Sequence, residues 1–499
     1  MTRPAALHAI ALLFTLAVPS SLSAEAPSTI QQQSLQHSLQ QRVEARLAEA
    51  GLGVRFGLVV ATQDGRELIA IAPDARFIPA SNTKIFTTAA AFATLTGIDG
   101  PDIAGGASVR LEARGKKSPN VVLKGHGDAR LSSAAGCVFN CLAALADAVA
   151  AAKVRAVHDI VGDASLYPDE RWSPGMSWNN LHSRYGTAAS ALTLDDNELA
   201  LSVSPDASGA PPSIVAQPYY RIDNRAVTAP SGDTTLEVAR KPGSWVIEVT
   251  GKVAVDAKPA KLFASIDDPA HYAAWRLKSL IEARGVRVTG AIVTRYRALA
   301  PGDGPEIRTG PRLTRQIEPA VLARLVPPPL IEDLTRINKE SQNLHAELML
   351  RRVGRQTGSG SIADGVATIH GLLERAGVPR TAFDFSDGSG MSTYNRLSPR
   401  GTLTVVRWIA AQPWGAAWKK TLPVGGVDGT LSKRFRETPL RGRIFAKTGT
   451  LNATNALSGS MIARSGRTLF FSAFANDVPE DVAATKAIDA ALVMIAEAN

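Results

Sequence analysis

The order of the secondary-structure signals constrains the fold of this 499-residue chain more than any other feature. Helix and strand patterns are mixed in about the first hundred residues and again after Pro327-Pro328-Pro329. Between them, residues from about 98 to 315 carry short apolar runs separated by Gly, Pro and Asp, which is typical of strands. A chain of this length exceeds one compact core. We therefore predict an α+β domain that is split in sequence by a β-rich insertion.

Local patterns support this division at both ends. The run FGLVVATQDGRELIAIAP has two apolar segments around a Gln-Asp-Gly turn and predicts a hairpin between Val54 and Ile71. The Ala- and Phe-rich run that follows predicts a helix beginning near Ser81. Near the carboxyl end, RTLFFSAFAN predicts a strand and Val482–Ala498 a closing helix. Within the insertion, helices are expected near residues 142–152 and 271–284.

The first residues have the pattern of an export signal. Arg3 precedes an apolar run from Ala5 to Val18, and small residues follow up to Ala24. This is typical of a secretory signal peptide, and the run is too short to span a bilayer of about 30 Å. We predict a signal peptide over residues 1–24 and a periplasmic mature chain. No later stretch reaches 18 uninterrupted apolar residues, so at most peripheral membrane contact is expected.

The two cysteines fit an oxidising compartment. Cys137 and Cys141 are four positions apart, and a disulfide is favoured over free thiols if the chain is exported. A metal site would need more ligands, and the nearest histidine, His126, lies eleven residues upstream of Cys137. We expect neither a metal nor an organic cofactor.

The formal net charge of +10 comes from dispersed basic residues. Such a surface favours anionic partners, of which cell-wall polymer and the membrane surface remain open, as does a solvated surface with no partner. Export makes nucleic acid the weakest of these partners, and we expect none. The oligomeric state is left open.

The first candidate for chemistry is Ser81-Asn82-Thr83-Lys84. On a helix, residues three apart share a face, with Cβ atoms about 5–6 Å apart. A lysine there can take the proton of the serine hydroxyl if burial or a neighbouring cation keeps it neutral. The positive end of the helix dipole would help to stabilise an oxyanion. The alternative is a helix-capping serine beside an exposed lysine.

The second candidate is Lys447-Thr448-Gly449-Thr450, after the short strand signal Ile-Phe-Ala. The lysine would add positive charge to a cleft, and the glycine would let a substrate backbone lie close to the strand. The two threonine hydroxyls can bind a carboxylate.

The third candidate is a Ser-x-Asn triplet, in which the serine would pass protons and the asparagine would hold a substrate amide. The chain offers three such triplets, beginning at Ser118, Ser177 and Ser341. Only Ser341-Gln342-Asn343 lies at the start of an evident helix, so we choose Ser341 and Asn343. Helix capping is the alternative role for them.

Taken in order, Ser81-x-x-Lys84, Ser341-x-Asn343 and Lys447-Thr448-Gly449 resemble the class C low-molecular-mass penicillin-binding proteins, which are D-alanyl-D-alanine carboxypeptidases and endopeptidases. Ser81 and Ser341 are 260 positions apart, whereas serine β-lactamases have only a small helical region there. Other segments also resemble this family: 125–128, 161–165, 174–178, 185–197, 387–399 and 426–431.

The resemblance implies catalytic roles. Ser81 would be the acylated nucleophile and Lys84 its general base. Ser341 and Lys447 would pass the proton to the departing D-alanine, and Asn343 would orient the acyl amide. The partners implied are peptidoglycan peptides, with β-lactam antibiotics as covalent inhibitors.

The resemblance also implies substrate-binding residues. Backbone N–H groups of Ser81 and Thr450 would form the oxyanion hole. Thr448 and Thr450 would hold the terminal carboxylate beside Gly449. Asp163 corresponds to a position that relatives place near the diaminopimelate side chain, although packing is an equally good explanation for it.

The expected architecture is a β-lactamase/transpeptidase-like α+β domain, an antiparallel sheet with helices on both faces, carrying two smaller β-rich domains. We assign the catalytic domain to residues 25–97 and 316–499. The first inserted domain is assigned to 98–204 and 288–315, and the nested one to 205–287. The alternatives for function are a β-lactamase or esterase of the same chemistry, or a non-catalytic wall-binding relative.

Overall fold

A computed structural model describes Met1, residues 29–308 and residues 318–499, and the side chains only from residue 37 onward within the first helix. The predicted signal peptide, residues 1–24, lies outside the described residues apart from Met1. Within the part of the chain that is described, no helix combines the length and the apolar composition needed to cross a membrane.

The described residues form ten α-helices and 22 strands. The helices are α1 Thr29–Ala48, α2 Thr83–Thr94, α3 Leu142–Ala151, α4 Pro269–Glu282, α5 Leu330–Lys339, α6 Asn343–Gly354, α7 Ile362–Arg375, α8 Pro399–Ala410, α9 Gly415–Lys420 and α10 Ala484–Ala498. The strands are β1 Arg55–Thr62, β2 Glu67–Ile71, β3 Ser108–Arg114, β4 Lys117–Lys124, β5 Ala156–Val157, β6 Ile160–Pro168, β7 Glu198–Ser204, β8 Ser213–Ala216, β9 Arg221–Asn224, β10 Val227–Ala229, β11 Glu237–Ala239, β12 Val246–Thr250, β13 Lys252–Ala254, β14 Ala260–Ser265, β15 Arg287–Val288, β16 Ile292–Arg297, β17 Ala323–Arg324, β18 Phe383–Asp384, β19 Arg396–Leu397, β20 Ile444–Leu451, β21 Thr454–Ile462 and β22 Thr468–Asn476.

The two ends of the chain meet in one antiparallel sheet of order β2-β1-β22-β21-β20. Successive side chains of a strand point to opposite faces. Accordingly Leu58 and Val60 of β1 pack in the core that contains α1 and α10. Val59 and Ala61 pack in the core that contains α2 and α8. Helices therefore cover both faces, and the predicted α+β class is confirmed.

The insertion packs around a mixed five-stranded sheet of order β16-β6-β4-β3-β17, in a core that Leu344 and Leu348 of α6 also join. Helix α4 packs on β6 and β16, and smaller sheets, among them β14-β7-β8 and β11-β12-β9, surround it. The last strand, β17, pairs with β3 although our boundary at residue 315 placed it in the catalytic domain. Core residues of both predicted inserted domains belong to one cluster. The domain boundaries stay predictions.

The disulfide between Cys137 and Cys141 is present, with Cα atoms 5.8 Å apart. It closes a loop directly before α3. Asn140 within this loop has a φ of +58° and donates its side-chain amide to the buried carboxylate of Asp128. The cross-link thus restrains a loop in which asparagine, a residue that tolerates the left-handed region, takes that conformation.

Candidate active site

Ser81 and Lys84 lie where the sequence pattern places them, at the start of α2. Ser81 is in a short 3-10 turn, Ala80–Asn82, and Lys84 follows one helical turn later with a fully buried side chain. Lys84 Nζ donates to Ser81 Oγ at 2.9 Å, to Asn343 Oδ1 at 2.6 Å and to the carbonyl oxygen of Ser389 at 2.6 Å. These contacts hold the amine against the hydroxyl.

Burial lowers the pKa of Lys84 to about 7, and the negative charges of Asp387 and Glu347 oppose this shift. Taking an ammonium group out of water destabilises its charged form. Lys84 is therefore neutral in a large fraction of molecules near pH 7, as a general base must be.

A second serine–lysine pair faces the first. Lys447 on β20 is fully buried, and its Nζ donates to Ser341 Oγ at 2.9 Å and to the carbonyl oxygen of Thr448 at 2.9 Å. Burial, together with the positive charge of Lys84, holds the pKa of Lys447 well below its usual value. Ser341 has a φ of +61°, a left-handed conformation that costs about 1–3 kcal/mol for such a residue and is often found at active sites.

Asn343 connects Lys84 to the insertion. It is the first residue of α6, directly after Gln342, which caps that helix through the N–H of Leu344. Its Oδ1 accepts from Lys84, and its Nδ2 donates to the carbonyl oxygen of Tyr185 at 2.9 Å.

The other two Ser-x-Asn triplets lie in different surroundings. Asn120, on β4, accepts a hydrogen bond from the N–H of Asp159. Ser177 and Asn179 bond to each other in an exposed loop of the insertion. Of the three triplets, the structure brings only the one at Ser341 to Lys84 and Lys447.

The Lys-Thr-Gly-Thr segment lies on β20, the edge strand of the antiparallel sheet β2-β1-β22-β21-β20. A Cβ added to Gly449 would lie 2.7 Å from the carbonyl oxygen of Pro79, so only glycine lets this strand approach the turn that bears Ser81. Thr448 Oγ1 is 2.7 Å from Thr430 Oγ1, and Thr450 is exposed. An edge strand of this kind can accept an extended peptide through main-chain hydrogen bonds.

Sequence reasoning assigned no role to two buried carboxylates. Glu347 Oε1 accepts the N–H groups of Gly388 and Ser389 at 3.0 and 2.8 Å, and so fixes the carbonyl that faces Lys84. Asp387 accepts the N–H groups of Gly390 and Ser392. Burial raises the pKa of Glu347 to about 7, and the charge of Asp387 adds to that shift.

Signals for both carboxylates exist in the sequence. Glu347 is four residues after Asn343, which puts it on the same helix face. Asp387 begins the Asp-Gly-Ser-Gly segment. The structure explains the second glycine of that segment, because Gly390 has a φ of +89° and a Cβ there would lie 1.9 Å from the carbonyl oxygen of Ala80.

Asp163 lies away from these contacts, on β6 within the insertion. Its carboxylate accepts from the N–H of Ser165 at 3.0 Å and from Ser165 Oγ at 2.6 Å. Its role in substrate binding stays a prediction. Among the described residues, no group of three or more His, Cys, Asp or Glu side chains is placed to hold a metal ion.

Comparison with known proteins relates the sequence of this chain to one family of enzymes. The sequence profile of the D-Ala-D-Ala carboxypeptidase 3 (S13) family matches residues 39–499. The chain is 32% identical over 454 residues to a D-alanyl-D-alanine carboxypeptidase of Actinomadura sp. (strain R39), covering 87% of this chain and 80% of that protein.

Solved structures show the same fold. The crystal structure of penicillin binding protein 4 (dacB) from Haemophilus influenzae superposes with a TM-score of 0.73 at 21% identity, over 91% of this chain and 97% of that one. A second structure of that protein, complexed with a β-lactam, gives a TM-score of 0.68 at 21% identity, with the same coverage of both chains.

Proposed function

Because this chain belongs to the D-Ala-D-Ala carboxypeptidase 3 (S13) family, we propose that it cleaves D-alanyl bonds of peptidoglycan peptides with Ser81 as the nucleophile. As a member of this family it is a serine peptidase. The observation that carries the assignment is the 2.9 Å contact between Ser81 Oγ and the buried amine of Lys84, whose pKa of about 7 suits a general base.

Acylation would begin when neutral Lys84 takes the proton from Ser81 as its Oγ attacks the carbonyl carbon of the penultimate D-alanine. The carbonyl oxygen becomes an oxyanion, for which the N–H groups of Ser81 and Thr450 are the proposed donors. Collapse of the tetrahedral intermediate breaks the C–N bond. Water then hydrolyses the resulting ester on Ser81 by the same steps in reverse.

The departing D-alanine amine needs a proton, and the Ser341–Lys447 pair is the proposed source, since Lys447 Nζ donates to Ser341 Oγ. Thr448 and Thr450 would bind the substrate's terminal carboxylate along β20. Asn343 would hold the acyl amide while its own amide stays bonded to Lys84 and to the insertion.

We further propose that the chain acts in the periplasm, which the signal-peptide pattern of residues 1–24 supports. We also propose that β-lactams acylate Ser81, because their strained amide presents a carbonyl to the same nucleophile. The Haemophilus protein of similar fold was solved with a β-lactam, which supports this proposal.

The test is incubation of the wild-type protein with a peptide ending in D-Ala-D-Ala, with cross-linked muropeptides and with labelled penicillin, followed by mass spectrometry. Loss of one alanine would mark carboxypeptidase action, and halving of cross-linked dimers would mark endopeptidase action. Ser81→Ala should abolish both peptidase activities and the attachment of labelled penicillin. Ser341→Ala should slow acylation strongly, whereas Ser118→Ala, from a triplet distant from Lys84, should not.

Three outcomes would overturn the proposal. Penicillin that labels Ser81→Ala as well as wild type would exclude Ser81 as the nucleophile. Wild-type protein that hydrolyses penicillin faster than the D-Ala-D-Ala peptide would indicate a β-lactamase, and protein that binds peptidoglycan without reacting would indicate a non-catalytic wall-binding relative.

A further inference from the structure

A strained turn in the insertion forms a hydrogen bond to α6, the helix that begins with Asn343. Asp195, Asp196 and Asn197 have φ values of +51°, +56° and +53°, so three successive residues with side chains are left-handed. Each such residue costs about 1–3 kcal/mol and persists only where its surroundings enforce it. Here the side chain of Asn197 supports the turn, because it donates to the carbonyl oxygen of Ala188 and accepts from the N–H of Leu194.

The two aspartates of this turn serve different parts of the molecule. The carboxylate of Asp195 accepts the N–H and the hydroxyl of Ser133 at 2.7 and 2.5 Å, and both residues belong to the insertion. The carboxylate of Asp196 crosses to the catalytic domain, where it meets Arg336 of α5 at 2.7 Å and His345 Nε2 of α6 at 2.8 Å. Only the second carboxylate ties the insertion to the catalytic domain.

His345 lies between two carboxylates and is fully buried. Its Nε2 faces Asp196 and its Nδ1 bonds to Asp333 of α5. Burial lowers the pKa of His345, but the two carboxylates outweigh it and raise the pKa to about 9. At neutral pH the ring is therefore a cation that donates to both carboxylates, and Arg336 Nη1 also lies 3.3 Å from its Nε2. Because the bridge is buried, salt screens the attraction between its charges much less than it screens a surface ion pair.

The bridge acts on the first turn of α6, which also carries Asn343. His345 is two residues after Asn343, whose Oδ1 accepts from Lys84. The insertion contacts this turn a second time, because the carbonyl oxygen of Tyr185 accepts from Asn343 Nδ2. Thus the insertion holds the helix start by two bonds, one to Asn343, which contacts Lys84, and one to His345, two residues later.

We propose that the Asp196–His345–Asp333 bridge positions the start of α6, so that docking of the insertion fixes Asn343 against Lys84 and sets the rate of Ser81 acylation. His345 is a positioning residue in this account, because it acts through Asn343 and touches no reacting atom. The inference rests on the proposed function, which supplies the reaction whose rate is measured. A displacement of about 1 Å in a catalytic group can cost about 100-fold in rate.

The test compares Asp196→Ala with Asp195→Ala in the full chain. Both replace a left-handed aspartate of the same turn by alanine, but only the first breaks the bridge. Stopped-flow acylation by a fluorescent penicillin, over a range of concentrations, gives the first-order acylation rate constant and the Kd separately, and calorimetry gives the Tm of each variant. Asp196→Ala should lower the rate constant by about 10- to 100-fold with little change in Kd. Asp195→Ala should leave the rate constant within about threefold of wild type, whatever its Tm.

Asp196→Asn provides the rescue. Asparagine tolerates a left-handed φ and keeps an oxygen that can accept from His345. This variant should recover at least about tenfold of the rate lost in Asp196→Ala. The inference is overturned if Asp196→Ala acylates at the wild-type rate, if Asp195→Ala is slowed equally, or if the asparagine variant is as slow as the alanine variant. Wild-type protein that fails to react with penicillin would instead contradict the proposed function.

Discussion

The pH dependence of acylation is the most direct consequence of the site's electrostatics. Burial lowers the pKa of Lys84 from 10.5 to about 7, while Glu347 and Asp387 oppose the shift. At pH 7 an ordinary lysine is neutral in about one molecule in 3,000, and a lysine of pKa 7 in about half. The neutral base is then about 1,500-fold more abundant, equivalent to about 4 kcal/mol in the free energy of activation. The rate constant should therefore rise with pH and level off above a midpoint near 7.

Glu347→Gln tests the carboxylate contribution. Glu347 Oε1 accepts two backbone N–H groups, whereas its buried Oε2 has no hydrogen-bond partner among the described residues, so glutamine can keep the first contact. Loss of the negative charge removes an interaction that raises the pKa of Lys84, and the midpoint should move to lower pH.

The assay is the penicillin acylation rate constant between pH 5 and pH 10, measured for wild type, for Glu347→Gln and for Glu374→Gln. Glu374 is exposed on α7, so its variant controls for the change in net charge. A wild-type midpoint above pH 9 would refute Lys84 as a buried base. An upward shift in Glu347→Gln would refute the assigned sign of the interaction.

Three further outcomes are expected. Gly449→Ala should slow acylation by at least tenfold or lower stability by about 1–3 kcal/mol, because its Cβ would lie 2.7 Å from the Pro79 carbonyl oxygen; wild-type rate and Tm would contradict this. His345 has a folded-state pKa of about 9, above its unfolded value of 6.5, so its bridge should contribute up to about 3 kcal/mol below pH 6.5 and lose it as pH rises through 9. Urea unfolding of wild type and His345→Asn should therefore differ most at low pH, and a constant difference would refute the charge. Replacing Cys137 and Cys141 by serine should cost about 2 kcal/mol by the loop-entropy relation, and an unchanged urea midpoint would contradict it.

Local patterns were sufficient to predict much of the fold. The hairpin from residue 54 to 71 is present as β1 and β2, because its turn and its apolar runs are encoded within 18 residues. The helix at Ser81 begins as a 3-10 turn before continuing as α2. Both depend on neighbours in sequence, which is what propensity and periodicity describe.

The contacts that complete the site could not be predicted in the same way. Glu347 reaches Gly388 across 41 positions, and Asn343 reaches Tyr185 across 158. Such pairs form only because two packed elements bring them together, and no local periodicity records that packing. The left-handed backbone of Ser341 was equally hidden, since its sequence carries no glycine or asparagine at that position to suggest it.

The two buried lysines of the site, Lys84 and Lys447, affect each other's protonation. The positive charge of Lys84 adds to the burial that lowers the pKa of Lys447, so a proton on one lysine disfavours a proton on the other. Asp387 and Glu347 favour the charged form of Lys84, whereas the proposed mechanism needs Lys84 neutral and Lys447 charged. A substrate carboxylate bound beside Lys447 on β20 would move the proton to Lys447 and thereby free Lys84 to accept the proton of Ser81. Substrate binding and a rise in pH would then act in the same direction, because each favours the neutral form of Lys84.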